Sequence, residues 1–167
     1  MTDRLRELTI PGVWLAELLR HEDVRGWLVE LFREDSLARA GLRDAMPTMA
    51  YLSSTRPGVA RGPHEHMRQT DTFVFLGTSD FSVQLWDNRP GSPAPYRSLR
   101  LTVGPPDPVL LVVPPRVVHA YSNTGDQDGW VLNIPNRLYR GWNRVEEADE
   151  VRHEDDPQSA FRLGDRT

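Results

Sequence analysis

The chain has 167 residues, 38% of them apolar and 26% charged, with a formal net charge of −4. That length and balance fit one soluble globular domain around a single core, and the interspersed charges of both signs argue against a nucleic-acid binder. There is no cysteine and no lysine: disulfides, thiolate metal sites, a cysteine nucleophile, a Schiff-base lysine and a lysine general acid or base are all excluded.

The N-terminus, Met-Thr-Asp-Arg-Leu-Arg-Glu, lacks the apolar stretch of a signal peptide, so the expected location is the cytoplasm. No apolar run approaches the roughly 20 residues that cross a bilayer, so no membrane partner is expected. Residues 8–20 read as an opening strand with a turn at Pro11-Gly12. A second strand follows the Gly26 turn, and Asp35-Ser36 caps a short helix through Leu42. From Pro47 to Trp86 the pattern is β, with strands at 48–53, 59–64, 72–76 and 81–86. A Pro- and Gly-rich loop over 87–95 leads to strands at 96–103, 109–113, 117–122 and 130–134. Short strands at regular spacing, with turn residues between them, indicate an all-β sandwich or barrel over about 8–135. Residues 136–167 read as a C-terminal extension that wraps the barrel or lids its mouth. Within it the acidic run Glu146–Glu150 is expected to be a solvated exterior. Trp14, Trp86 and Trp130 are expected in the core, and His21 and His153 in exposed segments.

Two stretches carry chemistry. In the first, His64 and His66 stand two residues apart just before a strand, with Asp71 close behind. On an extended backbone such side chains share one face, so both imidazoles point into one cavity. In the second, Val113 to Asn123, His119 and Tyr121 share a face in the same way. Histidine is suited to abstracting a proton next to a carbonyl, and Arg61 to stabilising the oxyanion that results. The same four residues, His64, His66, Asp71 and His119, also form the inventory of a divalent-metal site for Zn, Ni or Fe.

These stretches resemble the paired signatures of the cupin superfamily. Gly62, His64, His66, Asp71 and Gly77 match the first signature; Pro114, His119 and Asn123 match the second, with Arg116 at the usual glycine place. The resemblance implies a double-stranded β-helix, or jelly roll. Within cupins the chain is similar to the dTDP-4-dehydrorhamnose 3,5-epimerase group. Asp23-Val24-Arg25-Gly26 with Glu30 and Phe32 matches that group's opening phrase, and Arg61-Gly62-Pro63-His64 its Arg-Gly-x-His. Gln69 to Val74 and the later Asn133-Ile134-Pro135 with Leu138-Tyr139 match a shorter branch.

The resemblance implies a metal-free, cofactor-free epimerisation or isomerisation of a nucleotide-linked 4-keto sugar by a homodimer, with His64 as the base. By that analogy Arg25 and Arg61 contact the diphosphate, Glu30 holds the nucleotide base, and Tyr139 lies at the substrate. Three departures stand out. Leu132 occupies the place of the family's acidic tyrosine, which leaves Tyr121 or Tyr139 as replacements. Asp71 or a neighbour replaces an active-site lysine. A histidine-orienting aspartate from the C-terminal segment has no evident counterpart. A metal-dependent cupin enzyme and a non-catalytic sugar-binding cupin are the alternative readings.

Overall fold

The structure, a computed structural model, describes residues 5–93, 95–106 and 108–163. In chain order the strands are β1 (Arg6–Glu7), β2 (Trp14–Glu17), β3 (Arg20–Asp23), β4 (Gly26–Val29), β5 (Tyr51–Thr55), β6 (Ala60–Glu65) and β7 (Asp71–Phe75). They continue with β8 (Phe81–Asp87), β9 (Ser98–Val103), β10 (Val109–Val113), β11 (Val117–Asn123), β12 (Gly129–Asn133) and β13 (Val151–Arg152). The one α-helix among the described residues, α1 (Glu34–Arg39), begins before the expected Asp35-Ser36 cap, with Arg33 at the N-cap and no side-chain cap bond, and ends short of Leu42; Glu34 and Asp35 in its first turn and Arg39 in its last suit the helix dipole. No helix among the described residues is long and apolar enough to cross a membrane.

Eleven of these strands form two antiparallel sheets, in the orders β1-β2-β10-β7-β12-β5 and β13-β6-β11-β8-β9. This is the jelly roll that the signatures imply. Alternation decides what each strand buries. Phe73, Phe75, Leu111, Val113 and Val131 of the first sheet meet Phe81, Val83, Leu85, Val117 and Tyr121 of the second in one core between them. The other faces of β7 and β10, through Val74, Leu110 and Val112, pack beneath Leu37 of α1 and Leu18. Because β10 is covered on both faces, its sequence Val-Leu-Leu-Val-Val is apolar throughout and does not alternate. Burying that side chain set fully stabilises by roughly 1.5–3 kcal/mol per residue.

The opening strand is shorter than its sequence suggests. The Pro11-Gly12 turn divides it into β1 and β2; Trp14–Glu17 of β2 pairs with β10, and β1 pairs with β2 as the edge strand. Residues 20–29 form a separate hairpin, β3–β4, paired only with itself. Trp130 is also a correction: it is 48% exposed, because on β12 the inward positions are Val131 and Asn133. Trp86 is buried as expected, not between the sheets but under Phe161 of the C-terminal extension.

Candidate active site

Between the sheets, one end is filled by Phe73, Phe75, Phe81 and Tyr121 in edge-on or tilted contact, with ring centroids 5.3–6.4 Å apart. The other end is open. It holds a cavity of about 720 Å³, within the range that takes a small ligand. His64, His66 and Tyr121 all line it, and His119 lies behind them with its ring 4.4 Å from that of His64.

His119 and His64 are cross-strand neighbours on β11 and β6, and this is what brings the two sequence stretches together. A register shift follows, so that Tyr121 stands opposite Arg61. Gly62 sits inside that irregularity with φ +80°, and a Cβ there would lie 2.5 Å from the His119 carbonyl oxygen. Only glycine permits so close an approach in that conformation. Arg116 likewise takes a left-handed φ of 61°, which explains why the signature ordinarily has glycine there.

Asp71, at the start of β7, is fully buried beneath the histidines. Its Oδ2 lies 3.0 Å from His66 Nε2 and 3.4 Å from His119 Nε2. Its Oδ1 accepts from Gln69 Nε2 at 2.9 Å and from Asn133 Nδ2 at 2.8 Å. The consequences for charge diverge. Burial, then the neighbouring His119 and His66, drives the His64 pKa down to about 2, so this ring is neutral. Burial also opposes charge on His66, but the hydrogen bond and charge of Asp71 outweigh it and raise the pKa to about 9. Asp71 itself, despite burial that would raise it, is pulled down to about 2 by His66. Burial lowers His119 as well, and its Nδ1 donates to the Val117 carbonyl, which fixes the tautomer. One cavity therefore holds a neutral imidazole beside an imidazolium, with centroids 5.8 Å apart.

A nitrogen from each of His64, His66 and His119 comes within 4.8 Å of the others, a spacing that could hold a metal ion. Both ring nitrogens of His66 are already engaged, however: Nε2 by Asp71 and Nδ1 as donor to the Asp149 carbonyl.

The acidic run divides: Glu146 and Glu147 are exposed, as expected, whereas Asp149 and Glu150 are half-buried. Glu146, Glu147, Asp149 and Glu150 line the cavity. The Asp149 carboxylate accepts from the backbone N–H groups of Met67, Arg68 and Gln69 at 2.9–3.1 Å. Strand β13 then pairs with β6, setting Arg152 opposite His64, and brings Glu150 and Glu154 to 3.9 and 4.0 Å from His64 Nδ1. The extension thus supplies carboxylates beside His64. His153 points to the other side of β6 and is half-buried there, bonded to Glu65 Oε1 at 3.0 Å, contrary to its expected exposure. Nothing in a run of acids and arginines marks which of them fold inward; only the β6 edge selects them.

The remaining sequence-predicted residues divide. Arg61 lines the cavity, with its guanidinium donating to Thr55 Oγ1 and the Ser54 carbonyl. Tyr139 lines the rim and is exposed. Arg25 and Glu30 are not on the cavity wall of their own chain. Arg25 lies at the tip of the β3–β4 hairpin, 86% exposed and paired with Asp23, while Glu30 pairs with Arg33. Tyr51, which sequence reasoning passed over, faces the cavity from β5.

The family described as dTDP-4-dehydrorhamnose 3,5-epimerase matches residues 7–157. The chain is 31% identical over 144 residues to the "probable low-salt glycan biosynthesis epimerase Agl13" of Haloferax volcanii, covering 86% of each chain. It is 32% identical over 117 residues to the spore coat polysaccharide biosynthesis protein SpsL of Bacillus subtilis, covering 70% of this chain and 74% of that one. Among solved structures, the dTDP sugar isomerase of Desulfovibrio desulfuricans superposes with a TM-score of 0.75 at 26% identity, over 90% of this chain and 87% of that one. With residues 7–157 matched and the jelly roll in place, this chain belongs to the dTDP-4-dehydrorhamnose 3,5-epimerase family.

Proposed function

We propose that the chain epimerises a nucleotide-linked 4-keto-6-deoxy sugar by removing and returning a proton on a carbon next to the ketone, without metal or cofactor. The observation that carries this reading is the different surroundings of two histidines on one cavity wall: His64 has Glu150 and Glu154 at 3.9 and 4.0 Å from its Nδ1, and His66 has Asp71 at 3.0 Å from its Nε2. Two like groups whose surroundings push their pKa values apart are the usual mark of a base beside an acid. Neutral His64 takes the proton. The His66 imidazolium, held by Asp71, stabilises the negative charge that develops on the ketone oxygen. Glu150 and Glu154 stabilise the His64 cation formed in the step, and Arg61 is suited to a diphosphate oxygen.

The reading includes a homodimer. Val24, Trp27 and Leu28 leave an exposed apolar surface on the β3–β4 hairpin, whose strands pair with no other strand among the described residues. Docked on a second copy, that hairpin would carry Arg25 and Glu30 toward the other cavity, where Tyr139 lies on the rim. The test is solvent exchange: dTDP-4-keto-6-deoxyglucose incubated with the protein in D2O should take up deuterium beside its ketone. His64→Asn should abolish the uptake. Uptake that persists in His64→Asn would overturn the assignment of the base.

A further inference from the structure

We propose that Tyr51 is the acid that returns a proton to the substrate carbon, from the face opposite His64. The assignment rests on the epimerase reading and completes it. Inverting a carbon through a planar enolate requires a base on one side of the plane and a proton donor on the other. His64 projects from β6, in the five-stranded sheet; Tyr51 projects from β5, at the edge of the six-stranded sheet. Both line the same cavity, so a flat enolate lying between the sheets turns one face to each.

The hydrogen bonding around Tyr51 suits it to that task. Tyr51 and Asn133 are paired across β5 and β12, and Asn133 Nδ2 donates to the Tyr51 hydroxyl oxygen at 2.9 Å. The same Nδ2 donates to Asp71 Oδ1 at 2.8 Å. The carboxylate thereby fixes which end of the amide faces the phenol, because a flipped Asn133 would set its oxygen against Asp71. The amide occupies a lone pair of the phenol and leaves the O–H proton for another acceptor. Once that proton has gone, the same N–H stabilises the phenolate. Burial, with the Asp71 charge adding to it, keeps the phenol up at about 12, so it is protonated at neutral pH.

The other hydroxyls fit less well. Tyr121 belongs to β11, in the same sheet as His64, and is only 6% exposed. Its ring packs against Phe73, Phe75 and Phe81, and its hydroxyl is 3.2 Å from Ser53 Oγ. Tyr139 sits on the rim with its ring largely in solvent. Leu132, at the family's tyrosine place, packs on the outer face of the sheet.

The step balances without any co-reactant. The ring C–H bond breaks, its proton goes to the His64 ring, and its electron pair delocalises onto the ketone oxygen. The enolate carbon then takes the Tyr51 hydroxyl proton from the opposite side, leaving a phenolate and an imidazolium. Exchange with solvent, which reaches the half-exposed Tyr51, restores both.

The test uses Tyr51→Phe in the full chain with dTDP-4-keto-6-deoxyglucose in D2O, following deuterium uptake and formation of the inverted sugar separately. The expected result is inversion slowed about 100-fold or more in kcat, with KM and deuterium uptake little changed, since His64 still removes and returns the proton on its own side. His64→Asn should lose both signals. Three results overturn the assignment: wild-type inversion in Tyr51→Phe, loss of uptake and inversion together, or a rise in KM alone. A wild-type protein giving neither uptake nor inversion overturns the epimerase reading along with it. An unchanged thermal midpoint for Tyr51→Phe guards against a folding artefact.

Discussion

Asp71→Asn tests the electrostatic centre of the cavity. In the folded chain the His66 pKa is raised from 6.5 to about 9 by a carboxylate 3.0 Å away. A raised folded-state pKa contributes stability that is fully present below the unfolded value. It fades as the pH climbs from 6.5 and is lost above about 9. The size follows from the two values: about 3 kcal/mol at the acid end of that window. The Asp71 side, pulled from 3.8 to about 2, gives a similar figure; both describe one ion pair and are not added. Asp71→Asn should therefore cost about 3 kcal/mol at pH 6, a fall of roughly 6–12 °C in Tm for a chain of this size. At pH 10, where wild-type His66 is already neutral, the cost should shrink below about 1 kcal/mol. Urea unfolding at both pH values measures it, and an NMR titration of His66 should move from near 9 to below 6.5. An equal loss at pH 6 and pH 10 would refute the reasoning, because the carboxylate would then be acting through packing and not through the imidazolium.

Other perturbations address the remaining parts. Gly62→Ala forces a Cβ against the His119 carbonyl at φ +80° and should cost at least ~2 kcal/mol in urea unfolding, since the left-handed backbone alone costs roughly 1–2. Asp149→Ala strips three backbone amides of their acceptor, and limited proteolysis between 137 and 150 should accelerate about 10-fold. Val24→Glu places a charge on the bare hairpin tip and should convert a dimer to a monomer in light scattering. Dialysis against EDTA should leave deuterium uptake unchanged; a loss restored by Zn, Ni or Fe would favour the metal-dependent reading.

Much of the jelly roll was legible because its signals are local. Alternation, turn residues and the His-x-His spacing act over two to ten residues, and the cavity-facing orientation of His64 and His66 follows from strand geometry alone. What escaped was decided by pairing between distant strands. Tyr51 stands in the plain stretch Tyr-Leu-Ser-Ser-Thr, and only its register with Asn133 reveals a polar neighbour. The acids after Val145 look like ordinary solvated residues until β13 docks on β6 and turns alternate ones inward. Leu132 stands at the family's tyrosine place and packs on the outer face of its sheet, and nothing around it in the sequence points one strand across. Arg25 and Glu30 match their phrase, yet the hairpin that carries them joins neither large sheet, and a linear reading has no means of foreseeing that.

The stitching of Asp149 has a bearing on how this chain tolerates shortening. Its side chain closes three amide donors of the turn after His66, and its carbonyl accepts the ring N–H of that histidine. A truncation just before this residue would remove one flank of the chamber and, in the same cut, unlatch the loop that keeps an imidazolium in line with its carboxylate. The tail is thus part of the chamber wall, and a fusion partner belongs beyond Leu163, or at the opposite terminus.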